Sequence, residues 1–333
     1  MNTTESRALV MGASGFLGSH VVRGLVRDGR KVRIYCRATS NTSAIDHLGC
    51  EKHTGEITDA AAIEKAMQGC DVIYYCIVDP RAWLKDPAPL AEININAFKL
   101  VMDIALKMQI RRFIYTSTFM TIGINDTGIF SEKDEFNWWD DASEYARVRV
   151  TAEKMFFDYC KRGLPGIACN ATYTYGAEDL LPTGQGWMVR LVVEGLMPCN
   201  WDVNMPSVGI QDAADGMILA EKNGRIGERY ILNDRTYTFP ELNAVIARAV
   251  GRRPPLFKMP RWIMWSACWI NEKVFWLLGK ETEVSLSSWT LMCIPQQYDS
   301  SKARKELGWN PRPVEESIKE GALWFKQHPA GKK

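Results

Sequence analysis

The stretch Ala8 to Gly18, ALVMGASGFLG, limits what this chain can fold into more than any other. A short apolar run, Ala8 to Met11, opens directly into Gly12, Gly15 and Gly18 and then into the helix-compatible Ser19, His20, Val21 and Val22. The order is strand, glycine turn, helix. Glycine serves where the chain turns with positive φ, where backbone must approach a pyrophosphate, and where a helix packs tightly on its strand. The helix N-terminus then supplies amide donors and a positive dipole end. The spacing is G-x-x-G-x-x-G rather than the commoner G-x-G-x-x-G, and an ordinary tight turn is the alternative. The alternation of strand and helix patterns that follows favours a dinucleotide cradle, contacted by Gly12, Ser14, Gly15, Phe16, Leu17 and Gly18.

Downstream, Phe16 to Arg27 carries a helical apolar stripe that Asp28-Gly29 closes, and Val32 to Cys36 is a second strand. At its end, where an acidic residue commonly meets the ribose hydroxyls of NAD, stands Arg37. A guanidinium fork binds a 2′-phosphate that a carboxylate would repel, so Arg37 argues for NADP(H) over NAD(H); a solvated strand-end arginine is the alternative. Glu51 to Thr54 and Val72 to Val78 read as the third and fourth strands, with a helix from Asp59 to Gln68 between them. Pro87 to Met108 reads as a long amphipathic helix and Arg112 to Ser117 as the fifth strand. This rhythm is α/β: a Rossmann-type doubly wound parallel sheet with a smaller, mostly C-terminal substrate domain. Ligands of such sheets sit beyond the carboxyl ends of the strands, so Val78, Asp79, Ser117 and Thr118 face the site. Phe119 to Ala142 reads as a long, functional loop. Ser143 caps a helix from Glu144 to about Arg162 on which Tyr145, Arg149 and Glu153 share a face.

From Gly163 the rhythm changes. Gly166 to Thr172 reads as a sixth strand, and Pro182 to Pro206 mixes Gly, Pro, Trp and Met without a clear period. Val208 to Gln211 reads as a strand, Ala213 to Lys222 as a helix, Tyr230 to Leu232 as a strand and Phe239 to Val250 as a helix. The expected division is 1–178 for NADP(H) and 179–333 for substrate, the second interleaved with the last sheet strands at about 207–232. One later segment, Pro260 to Gly279 (PRWIMWSACWINEKVFWLLG), holds four tryptophans at helical spacing. It is either a buried helix of the smaller domain or an amphipathic surface helix, which would make peripheral contact with a membrane or guard an apolar pocket.

Composition removes several alternatives. Forty-one Lys and Arg against 39 Asp and Glu, with no long run of one sign, suggest no nucleic-acid partner. Nine scattered cysteines with no C-x-x-C pair read as reduced thiols of a cytoplasmic protein, and four scattered histidines offer no metal site. No apolar signal core and no run of 18 apolar residues occurs, so neither export nor a spanning helix is expected.

The chain resembles the extended short-chain dehydrogenase/reductase family over essentially its whole length. The resemblance rests on Gly12-Ala13-Ser14-Gly15-Phe16-Leu17-Gly18, on Tyr115-Thr116-Ser117-Thr118, and on Tyr145-x-x-x-Arg149-x-x-x-Glu153. Within the family it is similar to the hopanoid-associated sugar epimerases, dihydroflavonol reductases and 3β-hydroxysteroid or sterol dehydrogenases, through Asp79 to Pro87, Pro182-Thr183-Gly184, Gly227 to Leu232 and Ser300 to Gly308. The resemblance implies that Tyr145 gives or takes the proton on a carbonyl or alcohol oxygen while the nicotinamide moves a hydride. Thr118, with Ser117, would hydrogen-bond that oxygen. Asn94 occupies the place of a family asparagine on the central helix, a solvent-facing helix polar being the alternative. Glu56 and Ile57 lie along the nucleotide. Asp79, Trp83, Thr172, Trp187 and Trp201 are the substrate-side candidates, and a homodimer through the helix bearing Tyr145 is implied.

A phenol ionises near ~10, so proton transfer near neutrality asks for about three units of depression, roughly 4 kcal/mol. The family's usual lysine is here Arg149, which keeps the positive charge but releases no proton at working pH. Asn170-Ala171 stands where a proline is common. Three readings follow. The first is an oxidoreductase that interconverts a ketone and a secondary alcohol on an apolar cyclic substrate, sterol or terpenoid-like, including 3-hydroxyl oxidation coupled to loss of an adjacent carboxyl. The second is a sugar epimerase or reductase tied to hopanoid lipids. The third is a nucleotide-binding sensor or scaffold with impaired catalysis.

Overall fold

The computed structural model describes residues 6–329 except 82, 83, 85, 279, 281, 283–285 and 294–296. Strand β1 (Arg7–Met11), helix α1 (Phe16–Arg27), β2 (Lys31–Cys36), β3 (Glu51–Thr54), α2 (Ala60–Met67) and β4 (Val72–Tyr75) follow the expected alternation. Next come a continuous helix of two α-helical parts, α3 (Ala88–Ala91) and α4 (Phe98–Lys107), joined by a π-helical stretch at Glu92–Ala97, then β5 (Arg112–Thr118), α5 (Glu144–Lys161) and β6 (Gly166–Ala171). With β9 (Arg229–Leu232) these strands form a seven-stranded sheet in the order β3-β2-β1-β4-β5-β6-β9. Every pairing is parallel, Ala8 lying opposite both Val32 and Val72, and Ser117 opposite Asn170.

The period-two alternation of each strand splits the core between two faces. Val10, Ile34, Tyr74, Ile114 and Ile167 pack under α1 and under α7 (Ile210–Asn223). Leu9, Tyr35, Ile73, Tyr75, Phe113 and Tyr115 pack under α2, α4 and α5. Tyr75, Phe98, Phe113, Tyr115 and Phe156 form a continuous aromatic stack there, with centroids 4.5 to 6.3 Å apart in successive pairs.

A second sheet, β10-β8-β7, pairs β8 (Asn204–Gly209) antiparallel to β10 (Arg235–Thr238) and parallel to β7 (Tyr173–Tyr175). Around it pack α6 (Gly184–Glu194), α8 (Phe239–Ala249), α9 (Arg261–Leu277), α10 (Leu286–Cys293) and α11 (Val314–Gln327).

Several boundaries differ from the sequence expectation. The fourth strand ends at Tyr75 rather than Val78, because the chain turns past the glycine loop: only the Cys76 amide still reaches Met11 O, at 2.9 Å. The stretch 182–206, read as irregular, contains α6, which Thr183 caps by accepting from Gly186 N. Residues read as the strand Val208 to Gln211 divide between the end of β8 and the start of α7. The loop after β5 opens with a single 3-10 turn, Phe119–Thr121, and carries a core of its own in which Phe136, Trp138 and Ala142 pack on Ala146 and Val150 of α5.

Candidate active site

The carboxyl edge of the main sheet gathers most of the residues singled out above. Gly12 sits at φ +82°, and a Cβ there would lie 2.9 Å from both the carbonyl carbon and oxygen of Cys76. A Cβ on Gly18 would lie 2.2 Å from Gly12 O, so the first turn of α1 can rest on the loop only as glycine. Gly15 is the N-cap of α1 and brings no side-chain oxygen to its first amides. This cradle, closed to any Cβ and ending at an uncapped helix N-terminus, fits a dinucleotide pyrophosphate. Ser14, Phe16 and Leu17 lie on the same turn. Arg37 stands exposed one residue beyond β2, its carbonyl accepting from Ser40 N at 3.0 Å and its guanidinium pairing with none of the described residues. Glu56 is exposed and its backbone oxygen accepts from the Tyr35 hydroxyl at 2.8 Å, while Ile57 is buried in the core.

Beyond β4, Val78 is exposed and Asp79 is buried. Asn94, on the π-helical stretch, holds the backbone of Asp79 from both sides: Asp79 N donates to Asn94 Oδ1 at 3.0 Å, and Asn94 Nδ2 donates to Asp79 O at 3.1 Å. It is 3 % exposed, which overturns the reading of a solvent-facing polar residue. The Asp79 carboxylate is gripped by the Arg81 guanidinium, Nη2 to Oδ2 at 2.6 Å and Nε to Oδ1 at 2.9 Å.

Helix α5 starts where Ser143 accepts from Ala146 N at 3.2 Å, which fixes Tyr145 on its first turn. Burial raises the Tyr145 phenol above its ordinary pKa; the Arg149 charge opposes that rise, and the nearby Asp79 carboxylate adds to it. The protein alone therefore does not supply the depression that neutral-pH proton transfer asks for. Arg149 is 2 % exposed. Its Nη2 donates to Thr116 O at 2.7 Å, its guanidinium lies 5.5 Å from the centre of the Tyr115 ring, and its Nε has no partner among the described residues. The hydroxyls of Tyr75 and Tyr115 are likewise buried without a partner there, and burial pushes Tyr115 up to about 12.

One turn further, Glu153 belongs to a network that the sequence reading missed. Its carboxylate accepts from Ser117 Oγ, from Thr121 Oγ1 at 2.9 Å, from Asn170 Nδ2 at 2.7 Å and from Arg229 Nη1 at 2.9 Å. Ser117 is thus turned beneath α5, away from the sheet edge. Among the described residues the Thr118 hydroxyl makes one bond, accepting from Met120 N at a long 3.4 Å, and donates to none of them. Asn170, noted for standing where proline is common, was the available signal: a polar side chain inside an apolar strand run demands a buried partner.

The substrate-side candidates are not drawn into one cluster. The Thr172 hydroxyl bonds Leu232 O and Asn233 Oδ1, both at 3.2 Å. Trp187 is exposed on α6 beneath Arg190, whose guanidinium lies 5.4 Å from its ring. Trp201 stacks on Phe239 at 4.7 Å and stands edge-on to Trp289 at 6.3 Å. Trp83 lies outside the described residues. Among the described residues no cluster of three or more His, Cys, Asp or Glu is placed to hold a metal ion.

Comparison with known proteins identifies the family. Residues 8–232 match the model of the NAD dependent epimerase/dehydratase family. Sterol demethylase protein B of Methylococcus capsulatus is 25% identical over 321 residues, 96% of this chain and 98% of that protein. A 3-beta-hydroxysteroid dehydrogenase of Mycolicibacterium neoaurum is 24% identical over 93% of this chain and 88% of its own length. The crystal structure of gox2253 superposes with a TM-score of 0.87 at 28% identity, over 98% of this chain and all of that one. The chain belongs to the NAD dependent epimerase/dehydratase family, the extended short-chain dehydrogenases/reductases, and is an NAD(P)-dependent oxidoreductase.

Proposed function

We propose that the chain interconverts a ketone and a secondary alcohol on an apolar cyclic substrate, sterol or terpenoid-like, with NADP(H) preferred over NAD(H). The reading includes 3-hydroxyl oxidation coupled to loss of an adjacent carboxyl, peripheral membrane contact through residues 260–279, and a homodimer. The observation that supports it is the Tyr145 phenol under the influence of the buried Arg149 cation, on the first turn of the helix that covers β5, at whose end the Thr118 hydroxyl stands. The nicotinamide, when bound, supplies or takes the hydride.

Gly12, Gly15 and Gly18 let backbone close on the pyrophosphate, and Arg37 offers a fork of donors to a 2′-phosphate. Thr118 donates to the substrate oxygen and orients the carbon that bears it. In reduction Tyr145 Oη delivers the proton to that oxygen, and in oxidation it removes it. Arg149 stays charged throughout and favours the phenolate without exchanging a proton. Ser117 holds Glu153 and leaves the donor role to Thr118. The relatives named for sterol and steroid chemistry support an apolar cyclic substrate, as does the Trp- and Met-rich second half.

The test is nicotinamide absorbance with a panel of sterol ketones, 3-hydroxysterols and 3-hydroxysterol-4-carboxylates, each with NADPH/NADP+ and with NADH/NAD+. Turnover of a cyclic ketone or alcohol with the phosphorylated cofactor is the expected result. Turnover confined to nucleotide sugars would replace this reading with the epimerase one. No turnover in the wild type, with activity appearing in Arg149→Lys, would replace it with the scaffold one.

A further inference from the structure

Helix α9 turns its apolar side outward. Of its 17 residues only Cys268 is buried, while Trp262 is 70% exposed, Trp276 66% and Leu277 75%. Trp262, Trp265, Trp269 and Trp276 fall on one stripe at steps of three and four residues, and Lys273 completes it, its ammonium 5.8 Å from the Trp269 ring centre. The inner side docks on the chain through Met264 and Cys268, which pack in the core around the second sheet, and through two polar bonds: Asn271 Nδ2 donates to Thr282 Oγ1 at 2.6 Å, and Glu272 Oε1 accepts from Leu286 N at 2.8 Å. The helix therefore buries only a narrow part of its apolar surface and leaves most of it outward. The loop leading into it adds Leu256, 88% exposed, and Phe257.

The charge around this face is mostly positive, with Asp202 pairing with Lys258 at 3.3 Å and with Arg261 at 3.9 Å. Residues 252–280 contain Arg252, Arg253, Lys258, Arg261, Lys273 and Lys280 against the single acid Glu272, in a chain whose total is only +2, so the rest of the molecule is net negative. Glu281 and Glu283 follow, outside the described residues, and leave the excess positive. We infer that α9 and the loop before it lie on an anionic bilayer surface, tryptophans at the headgroup level and cations on the phosphates. At about 1.5 Å per residue the helix extends roughly 25 Å along such a surface. No described helix is long and apolar enough to cross a membrane, so the contact is peripheral. A second copy fits this face less well: a two-fold contact would set the same cations against each other. The inference rests on the apolar-substrate reading for its purpose. Trp289 of α10 stands edge-on to Trp201, so the docked side adjoins a substrate-side candidate, and a substrate dissolved in the bilayer would enter there.

Flotation of the full chain with phosphatidylcholine vesicles, with and without about one third phosphatidylglycerol, tests this. The wild type should bind the anionic vesicles at least about tenfold more tightly, and added salt should weaken that binding. The triple variant Trp262→Ser, Trp265→Ser, Trp276→Ser should float with neither vesicle, while a water-soluble cyclic ketone is turned over as by wild type. Wild type that stays unbound, a triple variant that still floats, or a wild-type dimer in sedimentation equilibrium that the variant abolishes would each overturn the inference. Loss of soluble-ketone turnover in the wild type bears on the proposed reaction and leaves the flotation result to decide the membrane face.

Discussion

Two stretches of helix α5 are built on opposite terms. At the third turn, Glu153 is enclosed by four donors from β5, the 3-10 turn, β6 and β9, with Arg229 as its cation. At the first two turns, the half-buried Tyr145 and the buried Arg149 stand with groups whose hydrogen-bonding capacity the described residues leave unused: Arg149 Nε and the hydroxyls of Tyr75 and Tyr115. A buried carboxylate with every donor in place holds strands and helix together. A buried cation beside a phenol raised by its surroundings is arranged for partners brought by a ligand. On the proposed reading, fold and chemistry are separated by a single helical turn, and substitutions on the two sides should fail differently.

The sharpest break comes at Tyr145. Tyr145→Phe removes the proposed proton donor and should lower kcat by about 10²–10⁴-fold with the urea midpoint unchanged. A variant retaining most of its rate would take the proton transfer away from this turn. Glu153→Leu should do the reverse. It strands Arg229 without its anion and removes the carboxylate that Ser117, Thr121 and Asn170 share, of which Thr121 and Asn170 can still reach Thr118 O, at a cost of about 3–5 kcal/mol in urea unfolding. A loss under about 1 kcal/mol would show that the network contributes little and would dissolve the contrast.

Much of this contrast is legible in the order of the residues. The glycine turn, the strand–helix rhythm and the Ser143 cap point to the parallel sheet and to the place of Tyr145, because each depends on local geometry alone. The direction of Ser117 is legible in principle too: strand alternation puts it on the side of Phe113 and Tyr115, under α5, rather than at the edge with Thr118. Three features are not. Helix α6 begins Gly184-Gln185-Gly186, a start with two poor helix formers that only the Thr183 cap and packing against α11 and α8 make helical. Asn94 has the neighbours of an exposed helix polar, and its burial comes from the loop of a different strand. The exposure of α9 depends on what packs beside it, and an apolar run carries no mark of the side left uncovered.

Next in size is Arg37, which tests whether the cofactor half of the site is as open to a ligand as the first turns of α5. Arg37→Ala should weaken NADPH by about 1.5–3 kcal/mol, the range for hydrogen bonds to a charged group, and leave NADH unchanged. Isothermal titration with both cofactors measures this directly. Equal loss for both would mean that the guanidinium meets no 2′-phosphate, and the preference for NADP(H) would fall.

The smallest effect is a displacement in pH rather than a loss. In the oxidation direction Tyr145 must be a phenolate to accept the alcohol proton, so kcat/KM rises with pH through the phenol's pKa. The Arg149 charge favours the phenolate and holds that pKa down, whereas Asp79 disfavours it and holds it up. Arg149→Met should therefore move the rising limb to higher pH, and Asp79→Asn should move it to lower pH. Arg149→Lys keeps the charge and should leave the limb near its wild-type position. On the rising limb each unit of displacement is a tenfold change in rate at fixed pH, so opposite signs for the two variants are readily measured. A limb unmoved by Arg149→Met would mean that the guanidinium, bonded to Thr116 O and lying over the Tyr115 ring, stabilises the aromatic floor of the site rather than the reacting oxygen. The first two turns of α5 would then belong with the third, as structure rather than chemistry.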